Sequence, residues 1–161
     1  MKLSEIWNFL ENSSVALRIG ESWWFPLLES IHVVAIALVI GSLLMVDLRL
    51  IGVAARGYAI SRMSKEMIPW TWAAFVVSVL TGFGLFITRA NHYMENPAFQ
   101  IKLLAMALAG LNMFLFHFGV FRNVGSWDTD TTPSSAKASA ALSLLLWSGV
   151  VLAGRWVGHL S

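Results

Sequence analysis

The chain has 161 residues, of which 57% are hydrophobic and 12% charged, and its mean hydropathy is +0.69. Soluble domains carry about 25% charged residues, so this surface is too poor in charge to stay dispersed in water, and the missing solvent is lipid. A net charge of +2 without a dense basic face gives no reason to expect nucleic acid, and the absence of cysteine removes disulfides, thiolate metal sites, iron–sulfur clusters and covalently attached haem.

The first twenty residues contain Glu5, Asn8, Glu11, Asn12 and Arg18, which interrupt any apolar core of a cleavable signal peptide. Ser4 followed by Ile6, Trp7, Phe9 and Leu10 predicts an amphipathic helix lying in the membrane interface. Four apolar stretches follow, at about 26–46, 68–87, 98–121 and 138–157. Each approaches the roughly 20 residues that a helix needs to cross 30 Å of hydrocarbon. Only helices satisfy their own backbone in lipid over such lengths, so the expected fold is all-α. It is a single integral membrane domain over residues 1–161, a bundle of four transmembrane helices. Trp23, Trp24, Trp70, Trp72 and Trp156 sit near the span ends as interfacial anchors.

Polar connectors separate the spans. The first, 47–67, holds Arg49, Arg56, Arg62 and Lys65; the second, 88–97, is short. The third, 122–137, contains Asp128, Asp130, Pro133, Ser134 and Ser135 and reads as a mobile loop. Arg122 and Lys137 bring the first and third connectors to six basic residues, against Lys2, Arg18, Arg89 and Arg155 on the other face, with Lys102 just inside. The positive-inside rule then places both termini outside, periplasmic for a bacterial inner membrane protein.

Ionisable side chains at membrane depth are expensive, about 2.5–3.5 kcal/mol on insertion scales, so each needs a reason. Fifteen residues separate His32 from Asp47, and fifteen separate Lys102 from His117, which is about 22 Å of helix in each case. Both helices start on the same face, so the polar residues fall into two layers. The outer layer contains Glu29, His32, Lys102 and Arg155, with Arg89, His92 and His159 nearby. One reading has Glu29 hydrogen-bonding His32 while Lys102 and Arg155 neutralise the carboxylate. The other makes His32 a ligand of a metal or haem iron, with the two cations meeting anionic groups such as haem propionates. The inner layer contains Asp47, Arg49, His117 and Asn112, read either as polar pairs that join helices or as a second ligand site at His117.

Buried histidines in a four-helix membrane bundle suggest a b-type cytochrome, in which neutral imidazoles hold haem iron. Residues level with His32 are about Gly82, Met106 and Leu152, and none is histidine. A symmetric pair of histidines within one chain is therefore not expected. The second position falls to Met106, Met45, His92, His159, a neighbouring subunit or nothing. Glu29-x-x-His32 is half of a di-iron pairing without the other half, and no nucleophile elbow, phosphate loop or H-E-x-x-H is present.

Several segments together carry a resemblance. Glu29-Ser-Ile-His32, Asp47-Leu-Arg49-Leu, Asn96-Pro97-Ala-Phe99 with Lys102, Ala109-Gly110-Leu-Asn112 ending at His117, and Gly154-Arg155-Trp156 resemble a family of bacterial four-helix membrane proteins catalogued mainly as a domain of unknown function. The likeness covers about residues 23–158 and implies a fold and an inner-membrane address, with no activity to transfer. The plan is also similar, more loosely, to copper-resistance D-like and b-type cytochrome membrane domains.

The expected function is a small haem b-binding membrane protein, homo-oligomeric, in one-electron transfer or haem-dependent sensing, with a redox protein or quinone as partner. His32 is the axial ligand, Lys102 and Arg155 face the propionates, Met106 is a second-ligand candidate and His117 a second site. The alternatives are copper or other divalent-metal handling through His32, His117, Glu29 and His92, and a cofactor-free accessory subunit. Whether the chain is an enzyme is left open.

Overall fold

The computed structural model describes residues 3–128 and 131–159; Lys2 and Asp130 lie outside the described residues. Seven α-helices and one 3-10 helix follow one another with no strand among these residues: α1 (Leu3–Glu11), α2 (Ser14–Gly20), α3 (Trp24–Ile51), α4 (Ile60–Ile87), α5 (Ala90–Glu95), α6 (Pro97–Phe118), a 3-10 helix (Val120–Ser126) and α7 (Ser134–Val157). Four of them, α3, α4, α6 and α7, are long and apolar enough to cross a membrane.

The four long helices pack in the order α4, α3, α7, α6. Small residues allow the approach: Ala35 and Ala74 are buried on α3 and α4, Ala109 on α6, and Ala136, Ala140 and Ala153 on α7. Side chains close the gap between α4 and α6 at the end that carries the termini, where Phe86 stacks on Phe99 with ring centroids 5.7 Å apart. Large apolar side chains point outward instead of inward; Leu38, Leu80, Leu104 and Leu145 are all exposed. That distribution suits a particle surrounded by lipid tails.

The helices overrun the apolar stretches. α3 continues past Val46 to Ile51 and stops at Gly52, whose φ of 86° lets its N–H reach the Leu48 and Arg49 carbonyls. α4 begins at Ile60, well before the apolar run at 68, and passes through Pro69 without ending. Hydropathy marks where lipid contact starts, whereas caps decide where helical hydrogen bonding starts. α6 illustrates the second rule: Asn96 Oδ1 accepts from the Ala98 and Phe99 amides and Pro97 takes the first position, where its missing N–H costs nothing. Asn96 Nδ2 also donates to Val157 O at 3.2 Å, tying the start of α6 to the end of α7.

The expected amphipathic N-terminal helix is α1, and a second short helix follows it, α2, which Ser13 caps by accepting from Ala16 N. Trp7 of α1 meets Phe86 edge-on at 5.8 Å, and Asn91 Nδ2 donates to Asn8 Oδ1 and Glu11 Oε2, which fixes α1 to α5. The third connector, expected as a mobile loop, is helical over the first of its described residues. Its 3-10 helix leads to Trp127, which is buried with Leu50, Ile60, Ala136 and Ala140 in a small core at the connector end of the bundle.

Candidate functional site

His32 comes from α3 and meets α4. Its Nδ1 lies 3.0 Å from Thr81 Oγ1, and the Ser78 carbonyl is also within reach. Thr81 Oγ1 donates to Val77 O at 2.7 Å, which leaves its oxygen able to accept from Nδ1. In the tautomer with the hydrogen on Nδ1, Thr81 accepts it and Nε2 keeps its lone pair. A hydrogen bond of this kind on one ring nitrogen is how proteins set a histidine to bind a metal through the other. The ring fits because residue 82 is glycine: a Cβ there would stand 2.7 Å from His32 Cε1.

Lys102 of α6 occupies the same level. Its charge is the one that acts on His32, and its side chain runs past Gly154 of α7 at ordinary contact distance. Gly82 and Gly154 thus flank the two polar side chains, and all four long helices contribute to this layer. Among the described residues no carboxylate pairs with Lys102. Glu29 does not hydrogen-bond His32 as one reading required; it is exposed, one turn earlier on α3. The field of Glu29 is felt at Tyr93 on α5, whose phenol is pushed above its ordinary value by burial, with Arg89 opposing and Glu29 assisting. Arg155 is exposed on the last turn of α7, and Met106 is half-buried one turn beyond Lys102. His92 on α5 has a buried Nε2 without a hydrogen-bond partner.

The second layer lies at the connector end. Asp47 is 7% exposed, and its Oδ2 has no hydrogen-bond partner; the Ser143 side chain of α7 meets the carboxyl group. Asp47 and Arg49 do not pair with each other. Arg49 Nε donates to Tyr58 O at 2.7 Å and its Nη2 lies 3.4 Å from Asp128 O, so this buried guanidinium holds the first and third connectors together. Two residues along a helix turn the side chain through about 200°, which is why the two charges face different neighbours. Asn112 is paired with Ser139: its Nδ2 donates to Ser139 O at 3.0 Å and its Oδ1 accepts from Ser139 Oγ at 3.1 Å, joining α6 to α7. His117 is exposed and stacks on Phe121 with centroids 5.1 Å apart. Asp47, Asn112 and His117 all line a cavity of about 80 Å³ between the four long helices.

Glu29, His32, His92 and His117 are not assembled into a metal site, since no three His, Cys, Asp or Glu side chains converge in that way among the described residues. Sequence reasoning missed three participants. Thr81 orients His32 and was readable only as a packing position. Ser143 reaches Asp47 from α7. Asp128 supplies the cap that Ala59 cannot give α4, accepting from Ser61 N at 2.7 Å through Oδ1 and from Ser61 Oγ at 2.5 Å through Oδ2. The usable signal was a helix start with no capping residue beside it.

No curated protein and no solved structure matches this chain. A family model described as a family of unknown function, DUF6644, matches residues 20–160, which takes in every long helix and both polar layers. The chain belongs to the DUF6644 family.

Proposed function

We propose that this membrane protein binds haem b and serves in one-electron transfer, with His32 as an axial ligand. The observation that carries the reading is the state of His32. Its Nδ1 meets Thr81 Oγ1 at 3.0 Å, a bond that in the Nδ1–H tautomer leaves Nε2 as the ligating atom, and Lys102 at the same level has no carboxylate partner among the described residues. A bundle that used this layer only as structural glue would have neutralised the lysine internally, because an unpaired charge is costly at that depth.

The donor set fits the group. A neutral imidazole with a fixed tautomer is a usual haem ligand, and Lys102 would meet a propionate, with Arg155 as the second cation near the same end. Bound there, haem supplies the one-electron carrier that the chain's own side chains lack. The chain orients the imidazole, places a cation for the acidic edge and surrounds the layer with apolar side chains. Met106 is the thioether of the same layer, and a neighbouring copy of the chain is the other source of a second ligand, in keeping with a homo-oligomer. The cellular address in this reading is a bacterial inner membrane with both termini periplasmic.

The test is haem content per chain, measured as the pyridine haemochrome of detergent-purified protein expressed with ample haem. Near-stoichiometric haem b supports the reading. Protein that stays colourless under those conditions contradicts it.

A further inference from the structure

Asp47 plays no part in holding haem at His32, and its carboxyl group is met by the Ser143 side chain and by no cation among the described residues. Its Oδ2 is buried without a donor, and Arg49 is committed to the connectors. The side chain stands where two spaces meet. One is the small cavity between the four long helices. The other is a groove of about 360 Å³ between α3 and α7, walled by Ile40, Leu44, Leu144, Val151 and Leu152. Leu44, Val151 and Leu152 are exposed, so the groove opens on the lipid side. Leu43, Asp47 and Trp147 line both spaces.

We propose that this groove takes a lipid-soluble hydroquinone, its tail lying along the apolar walls and a phenolic hydroxyl donating to Asp47 Oδ2. Each part of that molecule answers a feature of the site. The walls are aliphatic apart from Ser148 and reachable from lipid, as a hydrocarbon tail requires. The end of the groove offers a buried acceptor lacking its donor, which a hydroxyl completes and a quinone carbonyl does not. Trp147 lines the same groove as Asp47 and gives a ring-shaped head an aromatic neighbour, which an aliphatic alcohol would not use. The inference is independent of haem binding, because it concerns the other end of α3.

The experiment is equilibrium binding of a radiolabelled decyl-tailed benzohydroquinone, kept reduced under argon, to the full chain in lipid nanodiscs prepared without added haem. Saturable binding near one per chain is expected. Competition by the unlabelled hydroquinone should be at least ten-fold stronger than by its dimethyl ether, which has the same ring and tail but no donor. Asp47→Asn should weaken binding at least ten-fold, and Leu152→Trp, which fills the groove from its lipid side, should do the same with Asp47 intact. No saturable binding to the wild type, or equal competition by the ether, overturns the proposal. The ether comparison uses wild-type protein alone, so it decides the matter even where Asp47→Asn fails to fold.

Discussion

Gly82 of α4 lies directly against the His32 ring of α3, close enough that a Cβ at position 82 would stand 2.7 Å from Cε1 and 3.5 Å from Nε2. Nothing short of a rearrangement of the ring relieves such a contact. Gly82→Ala is expected to cost about 1–3 kcal/mol, the usual range for overpacking, and to lower the haem retained per chain several-fold. Gly154→Ala is the control, because its Cβ would meet Lys102 at an ordinary 3.8 Å. Thermal unfolding and haem content of the two variants, measured together, separate a specific effect on His32 from a general loss of packing.

In the proposed reading Thr81 acts on the iron ligand at one remove, through its 3.0 Å hydrogen bond to Nδ1. Loss of such a supporting bond typically costs 10–100-fold in affinity. Thr81→Val keeps the shape and removes the acceptor, so it should weaken haem binding and shift the midpoint potential, while Thr81→Ser should restore both. A Thr81→Val protein with wild-type affinity and potential would show that the bond does not orient a ligand.

Arg49 is 3% exposed and donates to backbone carbonyls of two connectors. Arg49→Ala leaves those carbonyls without a charged donor and should destabilise the protein by about 2–3 kcal/mol. Arg49→Lys keeps the charge but loses the planar fork, so it should recover only part of that stability. Haem content should fall in neither variant beyond the loss of folded protein, because the clamp is at the connector end.

Asp128 links charge to the start of α4. The Ser61 hydroxyl, followed by the Ser61 amide, holds its carboxyl below the ordinary value, and it lies outside the spans. A group whose folded value is depressed stabilises the fold above its unfolded value, about 3.9, and loses that contribution as pH falls through the folded value. Thermal stability should therefore drop on acidification below about pH 4, with a smaller slope in Asp128→Asn. Asp128→Ala should cost about 1 kcal/mol at neutral pH, as other lost helix caps do. Identical slopes for wild type and Asp128→Asn would rule out the capping role.

The span count was legible because lipid imposes length and apolarity on a helix regardless of partners. Axial levels were legible too: a rise of 1.5 Å per residue puts His32 beside Gly82, and the two residues meet. Rotation about the helix axes and the course of the connectors were not. His32 and Glu29 share a face of α3, yet the imidazole turns to Thr81 on the neighbouring helix. Asp128 reaches a helix start 67 positions earlier in the chain; the uncapped start at Ala59 signals a missing partner, but no local pattern names it. The apolar stretches also understate α3 and α4, whose polar ends stay helical until Gly52 and from Ile60.

The most direct measurement is the dithionite-reduced minus oxidised visible spectrum of purified wild type and His32→Ala, at equal folded protein and with haem supplied during expression. With His32 as the ligand, the wild type shows a sharp b-type α-band and Soret shift, and His32→Ala loses or markedly displaces them. A wild type with a featureless spectrum, or a variant with the full wild-type spectrum at full haem occupancy, would contradict the assignment of His32 as the ligand.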